Sequence, residues 1–420
     1  MRRHLAASLA TAVALSGAAA PTAAHGVEQA ATTAAAAPGD RRITLTRWDT
    51  AQQWRRGDRS GTTVVDGRLT FAKAVGRTSY DGRSYDVARW TSPWVEPGYS
   101  FTELIASWSA QTPRDSWVEI RVRGRSATGK HTSWDVLGRW ASGDRFVARR
   151  SVSGQSDDGT SVSVDTWKAG GLASYQLRVQ LMRRTGTPHR PSLDLATAMT
   201  SRVPARAGAT SAPGVARGKV LAVPRYSQMV HRGHYPQWGN GGEAWCSPTS
   251  TSMVLGYYGA LPAKRRHHWV PDDHVDPWVD HAARMTFDHA YDGTGNWPFN
   301  TAYAAPLTGK GFVTRLRSLR EAERFIAAGI PLVVSVAFGP GDLDGAPIGS
   351  SAGHLLVVVG FRASGDVVVN DPAAATRRGV RRTYRRSQLE RVWLEASGGL
   401  AYVIHDPTHP LPARGTATSW

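Results

Sequence analysis

Between residues 41 and 200, apolar and polar side chains alternate with a period of two, and this constrains the fold more than any other feature of the sequence. Val118, Ile120 and Val122 alternate with Trp117, Glu119, Arg121 and Arg123. Tyr175, Leu177, Val179 and Leu181 alternate with Gln176, Arg178 and Gln180, and Val162 and Val164 alternate with Ser161 and Ser163. Successive side chains of a strand point to opposite faces, so the pattern predicts half-buried antiparallel strands. Breaks such as Gly124 to Gly129 and Asp157-Asp158-Gly159 separate them, and no long amphipathic helix intervenes. Strands of this kind bury one face by stacking two sheets, so an all-β sandwich or jelly roll is expected.

Nine of the sixteen tryptophans fall in this stretch: Trp48, Trp54, Trp90, Trp94, Trp108, Trp117, Trp134, Trp140 and Trp167. Exposed indoles stack on sugar rings, whereas buried ones fill sandwich cores. The core reading is the simpler one, and Trp117, on the polar side of its strand, is the best candidate for an exposed ring.

The alternation ends before Pro204 to Gly218, a run rich in Ala, Gly, Pro and Ser that reads as a linker. The pattern beyond it is mixed. Ser247 suits an N-cap, Pro248 a first helical position and Gly259 the residue past the helix end. Ser318 caps a second helix over Leu319 to Ala328, with Glu321 completing a capping box and Gly329 ending it. Strand-like runs follow at Pro331 to Phe338, His354 to Phe361 and Asp366 to Asn370. This is an α+β pattern. The expected order is an export signal (1–24), a disordered Ala-rich segment (25–40), the β domain (41–200), a linker (201–218), the α+β domain (219–410) and a tail (411–420). Each half carries its own apolar pattern, so each is expected to fold independently.

Export is read from Arg2 and Arg3 ahead of the short apolar run Leu5 to Ala20, with small residues suited to cleavage. No later stretch approaches the roughly 20 apolar residues of a membrane span, so a secreted protein without a transmembrane segment is expected. The formal net charge of +18 then favours anionic cell-wall polymers as partners. Nucleic acid is set aside because no recognition motif appears.

Secreted chains use cysteines mostly in pairs, yet Cys246 is alone. A solitary thiol is reactive, buried and inert, or bonded to another molecule. Its surroundings favour the first, because the predicted helix places Cys246 at an N-terminus, where backbone N–H groups and the macrodipole stabilise a thiolate. A thiol that attacks a peptide carbonyl needs a base, and the base an orienting acceptor. His354 opens the run Leu355 to Phe361, and Asp371 closes Val367 to Asn370. The two runs are joined by a hairpin-length turn containing Gly365, so antiparallel pairing makes His354 and Asp371 neighbours.

The runs Val223-Pro224-Arg225-Tyr226-Ser227-Gln228, Trp245-Cys246-Ser247-Pro248-Thr249-Ser250, Gly353-His354-Leu355 and Asn370-Asp371-Pro372 together resemble the peptidase C39-like proteins. These are relatives of bacteriocin-processing cysteine peptidases within the papain-like group. The resemblance covers roughly residues 219 to 405. It implies a papain-like fold with Cys246 as nucleophile, His354 as general base, Asp371 as orienter and no cofactor. It also implies a glutamine that helps bind the oxyanion, either Gln228 or its rival Gln237, which lies closer to the cysteine. Many relatives follow the cysteine with glycine. Here Ser247 follows, and its side chain is expected to crowd the oxyanion site.

The expected activity is hydrolysis of a peptide or protein substrate through a covalent acyl-enzyme. The alternatives are a peptidoglycan endopeptidase or amidase of the same chemistry, or a non-catalytic wall- or glycan-binding protein with a degenerate papain-like domain. Three further features bear on partners. His267, His268, His274, His281 and His289 fall among Asp272, Asp273, Asp276 and Asp280, but no compact ligand spacing appears and no metal site is read there. The loop Gly293 to Asn300 could wall a substrate groove. The pairs Arg377-Arg378, Arg381-Arg382 and Arg385-Arg386 read as a solvated face or a dock for anionic polymers.

Overall fold

The structure is a computed structural model that describes residues 40–420. The expected export signal and nearly all of the Ala-rich segment lie outside the described residues. The described residues form one compact unit.

The amino-terminal half is all-β, with two antiparallel sheets. One sheet runs in the order Ser156–Asp157, Thr160–Ser163, Thr166–Leu172, Phe101–Gln111, Ser192–Arg202, Arg68–Phe71 and Thr62–Val65, and Arg42–Trp48 also pairs with Ser192–Arg202. The other runs Arg150–Ser151, Asp135–Trp140, Ser116–Arg125, Ser174–Arg184, Arg83–Thr91 and Asp58–Ser60, with Gly76–Tyr80 beside Arg83–Thr91. Aromatic pairs close the space between the sheets: Trp48 with Trp90 at 5.5 Å, Phe101 with Tyr175 at 5.8 Å and Trp108 with Trp140 at 6.4 Å between ring centroids. Large offset and edge-to-face rings supply much of the apolar area that such a core buries.

Trp117 corrects the sequence reading. It is buried at 1 % exposure in a second small cluster with Tyr85, Val87, Ala141, Val147 and Met182, and Tyr80 packs over it. Its strand lies inside the sheet with both faces covered, so the polar side of the alternation is not a solvent side. Instead Trp94 and Trp134 are the half-buried rings. Arg123 lies 5.2 Å from the Trp94 ring and 4.7 Å from the Trp134 ring, and Arg178 lies 3.9 Å from the latter.

The carboxy-terminal half is α+β, built on a six-stranded antiparallel sheet. Its order is Lys310–Arg315, Leu400–His405, Leu332–Phe338, Ser351–Phe361, Val367–Asn370 and Arg381–Tyr384. The helix Cys246–Tyr257 ends in the way Gly259 predicts. Gly259, at φ +64°, donates to the Gly256 carbonyl, and Ala260 donates to that of Leu255, the paired bonds of a glycine-terminated helix. The helix Leu319–Ala327 starts at Ser318 without the capping box, because Glu321 instead accepts the Arg317 N–H at 2.9 Å and its guanidinium at 2.9 Å.

Residues 201–218 are not a free linker. Ser201 and Arg202 belong to a strand, Ser211 N–H donates to Glu390, and Gly214 and Ala216 donate to the buried Glu323 carboxylate. Nor is 411–420 a loose tail, since Trp420 is fully buried against Phe325 and the Thr418 carbonyl accepts from Leu45 N–H. The halves share a core. Phe299 packs between Trp108 and Trp140, the Ser107 hydroxyl accepts the Val313 N–H at 2.8 Å, and Arg315 pairs with Glu103. The arginine pairs are largely engaged: Arg377 with Asp276, Arg381 with Asn370, Arg382 with the Gly345 carbonyl and the buried Arg386 with Glu323. Arg386 is buried and Arg381 and Arg382 are half-buried, while Arg377, Arg378 and Arg385 stay exposed. No helix among the described residues is long and apolar enough to cross a membrane.

Candidate active site

Cys246 is the first residue of its helix, with Trp245 as the N-cap. The helix therefore begins two residues earlier than Ser247 and Pro248 suggest, and the thiol belongs to the first turn, where backbone N–H groups have no partner within the helix. Ser247 is buried and its hydroxyl lies 2.9 Å from that of Tyr402. The Ser247 side chain, expected to crowd the oxyanion site, is engaged with Tyr402 in the interior. One turn further on, Ser250 ties the helix to the sheet by donating to the Leu355 carbonyl at 3.1 Å.

His354 lies within the strand Ser351–Phe361, three residues in rather than at its start. The strand pairs with Val367–Asn370 through Val357 opposite Asn370 and Val358 opposite Val369. This register brings Asp371, just past the second strand, to His354: Nε2 lies 2.8 Å from Asp371 Oδ1. The other ring nitrogen is left for the thiol, whose ionisation His354 favours. Asp371 is fully buried and well held. Oδ1 also accepts the Ala373 N–H at 3.0 Å, and Oδ2 accepts the Tyr384 hydroxyl at 2.7 Å. Asn370, its neighbour, faces the other way and donates to the Pro224 carbonyl at 2.8 Å.

The electrostatics follow from this chain of contacts. Burial alone would raise the Cys246 thiol, but the hydrogen bond and charge of His354, with the N–H groups of Leu355 and Ser247, outweigh it and lower the thiol. Burial alone would lower His354, but the Asp371 carboxylate and the thiolate raise it. Asp371, despite burial, is held below the usual carboxylate range by His354 and Tyr384. The three shifts all run in the direction of a thiolate–imidazolium pair beside a carboxylate.

Gln228 is buried and opens a short 3-10 helix, Gln228–His231. Its N–H donates to the Pro372 carbonyl at 2.9 Å, next to Asp371, and its side-chain amide donates to the Glu243 carbonyl, three residues before the cysteine. Gln237 is exposed. Neither glutamine lines the cavity that receives Cys246.

That cavity measures about 640 Å³, and both halves of the chain line it. From the carboxy-terminal half come Gly239, Asn240, Ala244, Tyr291, the loop Gly293 to Gly295 with Trp297, and Gly353 with Leu355. The loop expected as a groove wall thus contributes, although Phe299 turns away into the core between the halves. From the amino-terminal half come Glu103 and the hairpin Ser163-Val164-Asp165-Thr166 with Lys168. Sequence reasoning missed this wall. One signal for it is Val164, a β-branched residue at φ +52°, a conformation that costs energy and marks functional turns. Asp165 accepts the Trp297 N–H at 3.1 Å and the Thr166 hydroxyl at 3.1 Å, and burial first of all pushes its carboxyl up to about 7. The run Gly239-Asn240-Gly241-Gly242 was also missed. Its first three residues have positive φ, and a Cβ on Gly242 would fall 1.9 Å from the His231 carbonyl oxygen, so only glycine lets this loop pass.

The histidine-rich stretch is largely dispersed. His281 bonds to the Tyr303 hydroxyl at 2.9 Å, and His289 packs on Phe287. His274 alone approaches Asp280, at 3.6 Å, beside His231 and His234.

An α+β half that sets a helix-borne thiol against a strand-borne imidazole and carboxylate, under an all-β half, defines a recognisable class. Residues 220–401 match the peptidase C39-like family, and residues 44–201 match the peptidase C39 N-terminal domain. The chain belongs to the peptidase C39-like family, and its function is peptidase-related. No curated protein matches the chain. Among solved structures, a low-affinity xylan-binding module from Roseburia intestinalis is 14% identical, with a TM-score of 0.20, over 38% of this chain and 96% of its own. A family two carbohydrate esterase from Cellvibrio japonicus is 11% identical, with a TM-score of 0.19, over 45% of this chain and 41% of its own. Likeness at that level defines neither fold nor ligand.

Proposed function

We propose that the protein is an exported cysteine peptidase of papain-like fold that cleaves peptide bonds through Cys246, His354 and Asp371. The observation that carries this reading is the hydrogen-bonded chain from His354 through Asp371 to Tyr384, together with a Cys246 thiol that His354 lowers, at the wall of a cavity. The thiolate adds to the scissile carbonyl carbon, and the negative charge moves to its oxygen. Backbone N–H groups at the helix start are the donors available to that oxygen, while the Gln228 amide is engaged with the Glu243 carbonyl. A preorganised donor of this kind contributes roughly 3–4 kcal/mol. His354 then gives its proton to the leaving amine as the C–N bond breaks, which leaves a thioester. Water attacks the thioester, His354 takes the water's proton, and the thiolate departs with its electron pair. Asp371 keeps the imidazole in place throughout.

The reading is tested by incubating the protein with a diverse peptide pool, with Cys246→Ala as control. Cleavage products that appear only with the wild-type chain support it. No product and no labelling by a thiol-directed active-site probe would defeat it.

A second contact has its own observation. The Trp94 and Trp134 rings, stacked under Arg123, Arg125 and Arg178, offer aromatic faces with positive charge, which suits an anionic or sugar polymer of a cell wall. Co-sedimentation with purified wall should fall in a Trp94→Ala/Trp134→Ala variant while peptide cleavage continues.

A further inference from the structure

His231 closes the short 3-10 helix that Gln228 opens, and His234 follows it by three residues. Asp280 comes from the separate helix Pro277–Thr286. The three meet with one ligand atom each within 4.8 Å of the others. His231 Nδ1 lies 3.1 Å from Asp280 Oδ2, and His234 Nδ1 lies 2.9 Å from Asp280 Oδ1. Ligand atoms about 2.0–2.2 Å from a tetrahedral ion stand roughly 3.4 Å apart, so these separations are close to those of a zinc site.

Two further observations point to a ligand. His231 and Asp280 are fully buried, yet His231 Nε2 has no hydrogen-bond partner, and the contact of Nδ1 with Asp280 Oδ2 lacks hydrogen-bond geometry. Among the described residues, the ion pairs of Asp280 are with histidines alone, with no lysine or arginine to balance its charge. A buried carboxylate without a cation is costly, and a divalent ion between it and two imidazoles removes that cost. His274 stands next to the group, its ring stacked on His234 at 3.6 Å and its Nδ1 3.6 Å from Asp280 Oδ1.

We propose that His231, His234 and Asp280 bind a divalent transition metal, zinc by its nitrogen and oxygen donors, with His274 or water in the fourth position. None of these residues lines the Cys246 cavity, so the ion is structural. It cross-links the Gln228–His231 turn to the helix Pro277–Thr286. It also fixes the loop against which Trp245 packs, at 6.0 Å from His231, just before the cysteine.

The experiment uses the untagged chain stripped with a chelator and titrated with zinc against a chromophoric competitor. The wild-type chain is expected to take up one zinc, to melt at a higher temperature with it, and to give the visible bands of tetrahedral cobalt when cobalt replaces zinc. Cys246→Ala should keep all three properties, which separates this site from the thiol. His234→Gln, at a half-buried position, and Asp280→Asn should each lose stoichiometric uptake and the rise in melting temperature. A folded wild-type chain that takes up no zinc, or uptake that survives in both variants, would overturn the proposal.

Discussion

At Cys246 the helix start, the His354 imidazole and two backbone N–H groups act together against burial, and the thiol is lowered as a result. The thiolate should therefore form at lower pH than that of an ordinary thiol. Iodoacetamide at pH 6 is expected to alkylate Cys246 faster than a free thiol, and His354→Ala should slow that reaction and abolish turnover; equal rates would remove the activated nucleophile. Asp165 titrates in the opposite sense. Its carboxyl is raised to about 7, first by burial, so the folded chain favours the protonated form. That contribution is full below the ordinary carboxylate range and is lost as the pH rises towards 7. Asp165→Asn, a neutral mimic, should gain melting temperature relative to wild type between pH 4 and 8, and a pH-independent difference would refute the assignment. That His354 and Asp371 meet was legible in the sequence because both sit in a local pattern, two strand ends joined by a hairpin-length turn. Asp165 was not. It comes from another domain-sized segment, and nothing about a hairpin aspartate says which surface it will face.

The elements transmit these positions. The last strand of the sheet, Arg381–Tyr384, pairs with Val367–Asn370 and carries Tyr384 to Asp371 Oδ2. Tyr384 is a positioning residue, since it acts on the reaction through Asp371 and His354. A hydrogen bond to a charged group contributes about 1.5–3 kcal/mol. Tyr384→Phe is thus expected to lower kcat by roughly 10- to 100-fold with little change in KM, and to slow alkylation of Cys246 at pH 6. An unchanged alkylation rate would show that the hydroxyl serves stability alone. Element by element, the sequence located the helix that begins at Cys246, its glycine-marked end and the three strands from Leu332 to Asn370, because period and caps are local signals. It missed the covered side of the Trp117 strand, because alternation reports which side chains share a face and not whether a second layer lies over that face. The Ser318 capping box failed for a similar reason, since a nearby arginine competes for Glu321.

At the scale of the whole molecule, sequence suggested two cores where the structure has one continuous buried cluster running from Ile43 to Trp420. Apolar residues that bury against a neighbouring segment look the same in sequence as those that bury within their own. The contact is also polar: Asp288 accepts the Ser151 N–H at 3.0 Å, the buried Arg149 donates to the Arg284 carbonyl at 3.0 Å, and Arg41 donates to the Gly398 carbonyl at 3.3 Å. Each of these groups would be left without its partner if the halves were parted. Residues 219–420 expressed alone should therefore be insoluble or melt without a cooperative transition, and the cavity, lacking Glu103 and the Ser163 to Lys168 hairpin, should lose its substrate preference. Phe299→Ala in the full chain should cost about 3–5 kcal/mol, as the loss of a large buried ring usually does, and a single transition at lower temperature is expected from calorimetry. A carboxy-terminal half that melts as sharply and as high as the full chain would show that the shared core is dispensable and that each half stands on its own.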